Sequence, residues 1–141
     1  MMRALLDSDV ILDLVLSREP HFPDALEVFR AIAKERFAPF VTATALLNVN
    51  YFAEKEKGRD FALIEIEKLL SLLTVCSTGA SALKKALASP INDYEDAVQH
   101  ESAIVHNLDA IVTRNLKDFK NSAIPVYSPA EFLEVLITAR K

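Results

Sequence analysis

NDYEDAVQHESAIVHNLDAIVTRNLKDF, residues 92–119, combines an acidic helix start with a short apolar run that ends in polar residues. Its first half is typical of a helix start, with Asn92 as the cap and Glu95 reaching back to it. Asp93 and Asp96 then fall in the first turns, on neighbouring faces of the helix. The positive end of the helix dipole lowers the cost of placing these two carboxylates together. The stretch therefore begins with a helix-borne acid cluster.

The second half of the stretch indicates a short buried strand that ends in polar residues. Ala110, Ile111 and Val112 form the apolar run, and Thr113, Arg114 and Asn115 follow it directly. In α/β proteins, functional loops lie at the carboxyl ends of parallel strands. The sequence therefore predicts an acidic pocket at this edge of a sheet.

Outward from this stretch, strand-like and helix-like segments alternate along the chain. Residues 3–6 are predicted as a strand closed by Asp7, and the next helix is expected to have Ser8 or Asp9 near its cap. Further strands are expected at 39–42, 72–76 and 124–127, and helices at 24–35, 44–57, 59–71, 78–88 and after Ser128. In the helix at 44–57, the side chains expected to face inward are Leu47, Val49, Tyr51 and Phe52. This alternation predicts a single α/β domain over residues 1–141, a three-layer sandwich with a mostly parallel central sheet.

Composition narrows the classes of function. The 141 residues are 51% hydrophobic and 26% charged, as expected of a globular domain. Two glycines disfavour a glycine-rich phosphate-binding loop, and a single cysteine excludes an internal disulfide. Short apolar runs and an early acid indicate a cytoplasmic protein without a membrane segment. The net charge of −4 weighs weakly against nucleic acid as a partner, but bound divalent cations would reverse the local sign.

Acidic residues follow several of the predicted strands or begin predicted helices. They are Asp7, Asp9, Asp93, Asp96 and Asp118. Any one of them alone is adequately explained as a helix cap or a solvated acid. Together they predict a metal site, because parallel topology sends strand ends to one edge of the sheet. Hard oxygen ligands favour Mg²⁺ or Mn²⁺.

Four segments occur in an order and near a spacing that resemble the PIN-domain ribonucleases, in particular the VapC-like toxin branch. They are LLDSDVILDL, TATALLNVNYF, DYEDAVQ, and IVTRNLKDF followed by IPVYSPAEFL. The resemblance covers nearly the whole chain. It implies a metal-dependent endoribonuclease that uses Mg²⁺ or Mn²⁺ on an RNA substrate. It also implies the toxin of a toxin–antitoxin pair, with a cognate antitoxin protein as partner and a homodimeric assembly.

The resemblance assigns roles to individual residues. The catalytic set is Asp7, Asp96, Asp118 and Asn48. The metal ligands are Asp7, Asp96, Asp118, Asn115, Asp93 and Asp9. Thr113 is expected to hold Asp7 or to bind a phosphate, with local backbone bonding as the alternative. Arg114 and Lys117 are expected to contact the RNA backbone, with an ordinary solvated surface as the alternative.

The chain departs from the family pattern at two of these positions. Asp9 stands where the family commonly has asparagine, which keeps an oxygen and adds a charge. Asn48 stands where the family has a helix-borne glutamate. An amide offers an oxygen to a metal but neither neutralises its charge nor acts as a base. Asp93 is expected to compensate in part.

Two other classes of protein remain open from the sequence. The Asp7-Ser8-Asp9 segment also resembles the nucleophile motif of haloacid-dehalogenase-like phosphatases, although the acidic pair then precedes Thr113 instead of following it. The other alternative is a catalytically weak PIN-like module that binds RNA or protein, for which Asn48 is the main support.

Overall fold

The computed structural model describes residues 1–139, so the last two residues of the predicted domain lie outside it. Within this range the strands are β1 (Arg3–Leu6), β2 (Ala38–Thr42), β3 (Thr74–Cys76), β4 (Ala110–Val112) and β5 (Val126–Tyr127). The helices are α1 (Ser8–Val15), α2 (Phe22–Ala33), α3 (Ala43–Lys57), α4 (Arg59–Leu72), α5 (Ala80–Ala86), α6 (Tyr94–Val105) and α7 (Pro129–Ala139). A 3₁₀ turn covers Leu116–Phe119. None of the helices within residues 1–139 has the length and apolar character needed to cross a bilayer.

The strands form one sheet in the order β3-β2-β1-β4-β5, and every neighbouring pair is parallel. Strand β1 lies at the centre, where Leu5 is paired with Phe40 of β2 and Ile111 of β4. All strand ends consequently point to one edge of the sheet. The predicted parallel sheet is confirmed, although β3 begins at Thr74 and β5 at Val126, each two residues later than the sequence predicted.

Helices cover both faces of the sheet, which confirms the predicted three-layer sandwich. The sheet therefore has a hydrophobic core on each face. Alternate side chains of β1 enter different cores: Leu6 packs in one and Leu5 in the other. The first core contains buried residues of α1, α2, α3, α4 and α7. The second contains buried residues of α5 and α6, together with Phe119 of the 3₁₀ turn.

The prediction for the inward face of α3 was mostly wrong. Val49 is buried as expected, but Leu47, Tyr51 and Phe52 are exposed by 69%, 59% and 41%. The helix turns its core face along residues 45, 49 and 53, which are spaced by four residues and are all buried. Leu47 lies about 200° away from Val49 at 100° per residue, so it projects to the opposite side.

Helix starts agree with the predictions to within one or two residues. Ser128 and Glu131 form the predicted capping box of α7: Glu131 N donates to Ser128 Oγ at 3.1 Å, and Ser128 N donates to Glu131 Oε1 at 2.9 Å. Helix α2 begins at Phe22 instead of residue 24 because Pro23 is accommodated within its first turn. Capping side chains and proline therefore determine where these two helices begin.

Candidate active site

Asp7 follows β1 and caps α1, one residue earlier than the predicted cap at Ser8 or Asp9. Its side chain is buried, and both carboxylate oxygens accept hydrogen bonds. Oδ1 accepts from Ser8 N at 2.7 Å and from Gln99 Nε2 at 3.2 Å. Oδ2 accepts from Thr113 Oγ1 at 2.8 Å. Three donors from three parts of the chain therefore hold this carboxylate in one orientation.

Asp9 lies in the first turn of α1, beside Asp7. Its Oδ2 accepts from Arg114 N at 3.1 Å and from Thr113 Oγ1 at 3.4 Å. Its Oδ1 is buried and has no hydrogen-bond partner within the described residues. Burial and the neighbouring Asp7 charge raise the pKa of Asp9 to about 7. A cation at this oxygen would remove both the unsatisfied acceptor and the unfavourable charge.

Arg114 neutralises this region only in part, because its charge lowers the pKa of Asp9 by less than burial and the Asp7 charge raise it. Its Nε and Nη2 bind the two carboxylate oxygens of Asp13 at 2.6 and 3.2 Å. Asp13 is only 1% exposed, so the guanidinium is required to compensate a buried charge. Within residues 1–139, Asp9 accepts a hydrogen bond from the backbone N–H of Arg114 and none from its guanidinium. Contact of its side chain with an RNA backbone stays a prediction.

The predicted cap of α6 at Asn92 was wrong by one residue. Asp93 is the cap, and its Oδ1 accepts from Asp96 N at 2.9 Å. Aspartate and asparagine cap helices about equally well, so the sequence does not distinguish two adjacent candidates. Glu95 does not reach back to the cap. Its Oε1 instead accepts from Asn48 Nδ2 of α3 at 2.7 Å.

Asp96 is surrounded by other acids. Burial contributes most to raising its pKa, to about 7, and nearby negative charges add to the shift. In order of decreasing effect these charges are Asp7, Asp93, Asp118 and Glu95. The structure thus brings the helix-borne acids to the same cleft as Asp7, as the strand order requires.

The remaining predicted residues lie at the rim of the cleft. Asn115, Lys117 and Asp118 are exposed, in and just before the 3₁₀ turn. Asn115 contributes its backbone N–H to Thr113 Oγ1 at 3.0 Å. Thr113 is fully buried, and its Oγ1 donates to Asp7 and accepts from the backbone N–H of Asn115, so the expected contact with Asp7 and the local backbone alternative both occur.

Gln99 is the site residue that sequence reasoning missed. It is 2% exposed, and its amide reaches Asp7 across the cleft from α6. The signal was its position three residues after Asp96, which places both side chains on one helix face. Gln99 Oε1 is buried without a partner within residues 1–139. Burying an amide whose carbonyl oxygen has no hydrogen bond lowers the stability of the fold, which is consistent with a functional role for Gln99 at the site.

The donor set fits Mg²⁺ or Mn²⁺ in its chemistry. The acidic and amide side chains of the cleft offer oxygen ligands, and Asp9 has a buried oxygen without a hydrogen-bond partner within residues 1–139. Within residues 1–139, no three His, Cys, Asp or Glu side chains already surround a common point as metal ligands would. Ion binding would therefore draw the carboxylates closer together, which their mutual repulsion opposes when no cation is present.

These features define an α/β protein with an acidic cleft at the carboxyl edge of a parallel sheet. A family model described as the PIN domain matches residues 3–117, and the chain belongs to the PIN-domain family. The family consists of nucleases that generally use divalent metal ions. This match favours a nuclease over the dehalogenase-like alternative. No curated protein matches the sequence.

Solved structures of low identity share the fold. A toxin–antitoxin complex from Klebsiella pneumoniae is 21% identical with a TM-score of 0.67, covering 89% of this chain and 97% of that chain. DNA-bound VapBC from Salmonella typhimurium is 19% identical with a TM-score of 0.67, covering 92% and 99%. VapC20 from Mycobacterium tuberculosis, described as a toxin that cleaves the sarcin–ricin loop, is 11% identical with a TM-score of 0.63, covering 77% and 86%.

Proposed function

We propose that this protein is a Mg²⁺- or Mn²⁺-dependent endoribonuclease and the toxin of a toxin–antitoxin pair. The observation that carries the proposal is the convergence of Asp7, Asp96 and Asp118 at one edge of the sheet in a PIN-domain chain. After burial, the charges of Asp7 and Asp118 contribute to raising the pKa of Asp96, and carboxylates crowded in this way are suited to a divalent cation. Membership of a nuclease family supplies the reaction class.

We assign each residue of the site a role from its contacts in the structure. Asp7, Asp96 and Asp118 would hold the ion, and the supporting oxygens would come from Asp9, Asp93, Asn115 and Asn48. When bound, the ion lowers the pKa of a water molecule and offsets the charge that develops on the phosphate. Thr113 and Gln99 keep Asp7 in a fixed orientation through its two oxygens. Without a cation, the raised pKa of Asp96 lets its carboxyl carry a proton near neutral pH.

The proposed partners are RNA, an antitoxin protein and a second copy of the chain. The proposal draws on the fold shared with toxin–antitoxin complexes and with a toxin described as cleaving the sarcin–ricin loop. Lys117 is exposed at the rim, where it would attract the phosphate backbone. The exposed apolar side chains Leu47, Tyr51 and Phe52 on α3 offer a surface for protein contact. Light scattering of the purified protein tests the homodimer.

Cleavage of RNA by the purified protein, with and without Mn²⁺, tests the proposal. Wild type should cleave only with the ion, and Asp7→Asn should lose at least about 100-fold in rate, since loss of a ligand exceeds the usual effect of its supporting groups. Asp60→Asn is the matched control because Asp60 is exposed at the start of α4, outside the cleft residues. Cleavage by Asp7→Asn at the wild-type rate would refute the assignment. RNA binding without cleavage would indicate the catalytically weak module, and hydrolysis of a phosphomonoester would indicate the phosphatase.

A further inference from the structure

Asn48 and Glu95 form a side-chain pair between α3 and α6 at the rim of the acidic cleft. Asn48 Nδ2 donates to Glu95 Oε1 at 2.7 Å, across 47 positions of sequence. The bond occupies one oxygen of the carboxylate. The second oxygen, Oε2, remains for another ligand.

The pair leaves the charge of Glu95 intact. The salt bridges found within residues 1–139 involve other acids: Glu27, Glu65 and Asp13. Lysine or arginine at position 48 would have bound Glu95 and cancelled its charge, whereas a neutral amide orients the carboxylate without cancelling it. Glu95 directly precedes Asp96 in the first turn of α6, so the two carboxylates lie at the same end of this helix. A fixed carboxylate that adds to an acidic cleft is useful when a cation enters the cleft.

We propose that Glu95 is a further carboxylate of the cation site and that Asn48 is the positioning residue that holds it there. This inference rests on the proposed metal-dependent function and changes the part played by Asn48. Asn48 then acts through its N–H donor and not through its amide oxygen. Asn48 lacks the negative charge of the glutamate that the family has at this position of α3, and Glu95 of α6 supplies that charge instead.

A double-mutant cycle on Mn²⁺ binding tests the inference independently of RNA cleavage. The variants are Glu95→Gln, Asn48→Ala and the double substitution, and the dissociation constant of Mn²⁺ is measured by calorimetry. Glu95→Gln keeps an acceptor for Asn48 but removes the charge, so affinity should fall about 10-fold or more. Asn48→Ala should weaken binding by less. In the Glu95→Gln background it should have almost no further effect, because the carboxylate that it positions is gone.

Two controls make each outcome interpretable. Glu101→Gln removes the same charge from α6 at a position whose charge affects His100, not Asp96, and it should bind Mn²⁺ like wild type. Asp96→Asn should abolish binding if the proposed site is correct. Urea unfolding of every variant without metal confirms that each is folded, and Glu95→Gln should be at least as stable as wild type.

The results that overturn the inference differ from those that overturn the proposed function. If Glu95→Gln and Glu101→Gln bind Mn²⁺ equally well while Asp96→Asn does not bind, Glu95 merely joins two helices. If the effects of Asn48→Ala and Glu95→Gln are additive, Asn48 contacts the ion by its own oxygen and its positioning role is wrong. If wild type and Asp96→Asn bind alike, the metal site itself is wrong, and both proposals fail.

Discussion

Asp7 and Asp96 are carboxylates of one cleft held in opposite ways. Asp7 receives three hydrogen bonds from donors on α1, α6 and the end of β4. Asp96 has a raised pKa, caused by burial and then by the charges of four acids. The fold therefore fixes the orientation of one carboxylate by direct hydrogen bonding and disfavours the ionised form of the other. Identical side chains contribute differently to folding and to cation binding because their neighbours differ.

Asp9 is intermediate between these two. One oxygen accepts hydrogen bonds, and the other is buried without a partner in the described residues. The comparison shows how an acidic site is made stable enough to fold and still receptive to an ion. The bonded carboxylate sets the geometry, while the crowded ones provide the attraction.

Asparagine substitutions should separate the two acids most strongly. Asp7→Asn places an amide N–H₂ among buried donors, so the free energy of unfolding should fall by about 2–3 kcal/mol. Asp96→Asn relieves repulsion and should raise that free energy by about 1 kcal/mol without metal. Both variants should lose RNA cleavage. Urea unfolding in the presence of a chelator measures the difference, and equal stability changes of the same sign would contradict the comparison.

Mn²⁺ should stabilise the folded protein because the crowded acids repel one another until a cation enters. At 100 times the dissociation constant, binding to the folded state alone adds about 2.7 kcal/mol to the free energy of unfolding. The melting temperature of wild type should rise with Mn²⁺ and not with NaCl of equal ionic strength. Asp96→Asn should show little of this rise. An equal rise in the melting temperature of both proteins would show that Mn²⁺ binds at a site that does not include Asp96.

The two donors to Asp7 from outside α1 should differ in their effect on stability. Thr113→Val leaves Oδ2 of a buried carboxylate without its donor, so the free energy of unfolding should fall by about 1–2 kcal/mol. Gln99→Met also removes a donor, but it removes an unsatisfied buried carbonyl as well. These effects offset each other, and the net change should stay below about 1 kcal/mol. Chemical unfolding measures the change in the free energy of unfolding for both variants. A larger loss of stability for Gln99→Met than for Thr113→Val would mean that the carbonyl of Gln99 has a partner in the wild type.

The stability of the metal-free protein should depend on pH through Asp9 and Asp96. Both pKa values are raised from 3.8 to about 7, so between pH 4 and 7 the folded state binds more protons than the unfolded state. The free energy of unfolding should therefore fall as pH rises through this window and level off above pH 7. The contribution should be about 1 kcal/mol, because solvent reduces the effect of partly exposed groups.

The pH profile of Asp96→Asn isolates this contribution. Burial lowers the pKa of His100, which opposes the acids at acidic pH and is common to both proteins. The difference between wild type and Asp96→Asn therefore removes the His100 effect. A difference that does not change between pH 5 and 8 would show that Asp96 titrates normally.

Much of the architecture was predictable from the sequence because it depends on local patterns. Apolar runs identify the strands, and a capping box identifies the start of α7. The convergence of Asp7, Asp96 and Asp118 follows from a general property of parallel sheets, whose strand ends meet at one edge. Their roles as metal ligands stay a prediction.

Side-chain pairs between distant elements were not predictable in the same way. The bonds from Asn48 to Glu95, from Gln99 to Asp7 and from Arg114 to Asp13 depend on how α3, α6 and α1 pack around the sheet. Local sequence patterns do not determine which donor bonds to which acceptor when the two residues lie far apart in the chain. The inward face of α3 failed for a related reason, since apolar residues surround this helix and the small residues at 45 and 53 mark the packed side.

The central position of β1 also determines when the acids meet during synthesis. This strand precedes the other four in the chain, yet one of its two neighbours is β4, at residues 110–112. Asp7 receives bonds from Gln99 and Thr113, which are translated about a hundred residues later, at roughly 5–20 residues per second. A growing chain thus carries Asp7 for several seconds before Gln99 and Thr113, which orient its side chain, have been added. The cleft can therefore assemble around Asp7 only after Thr113 has been translated.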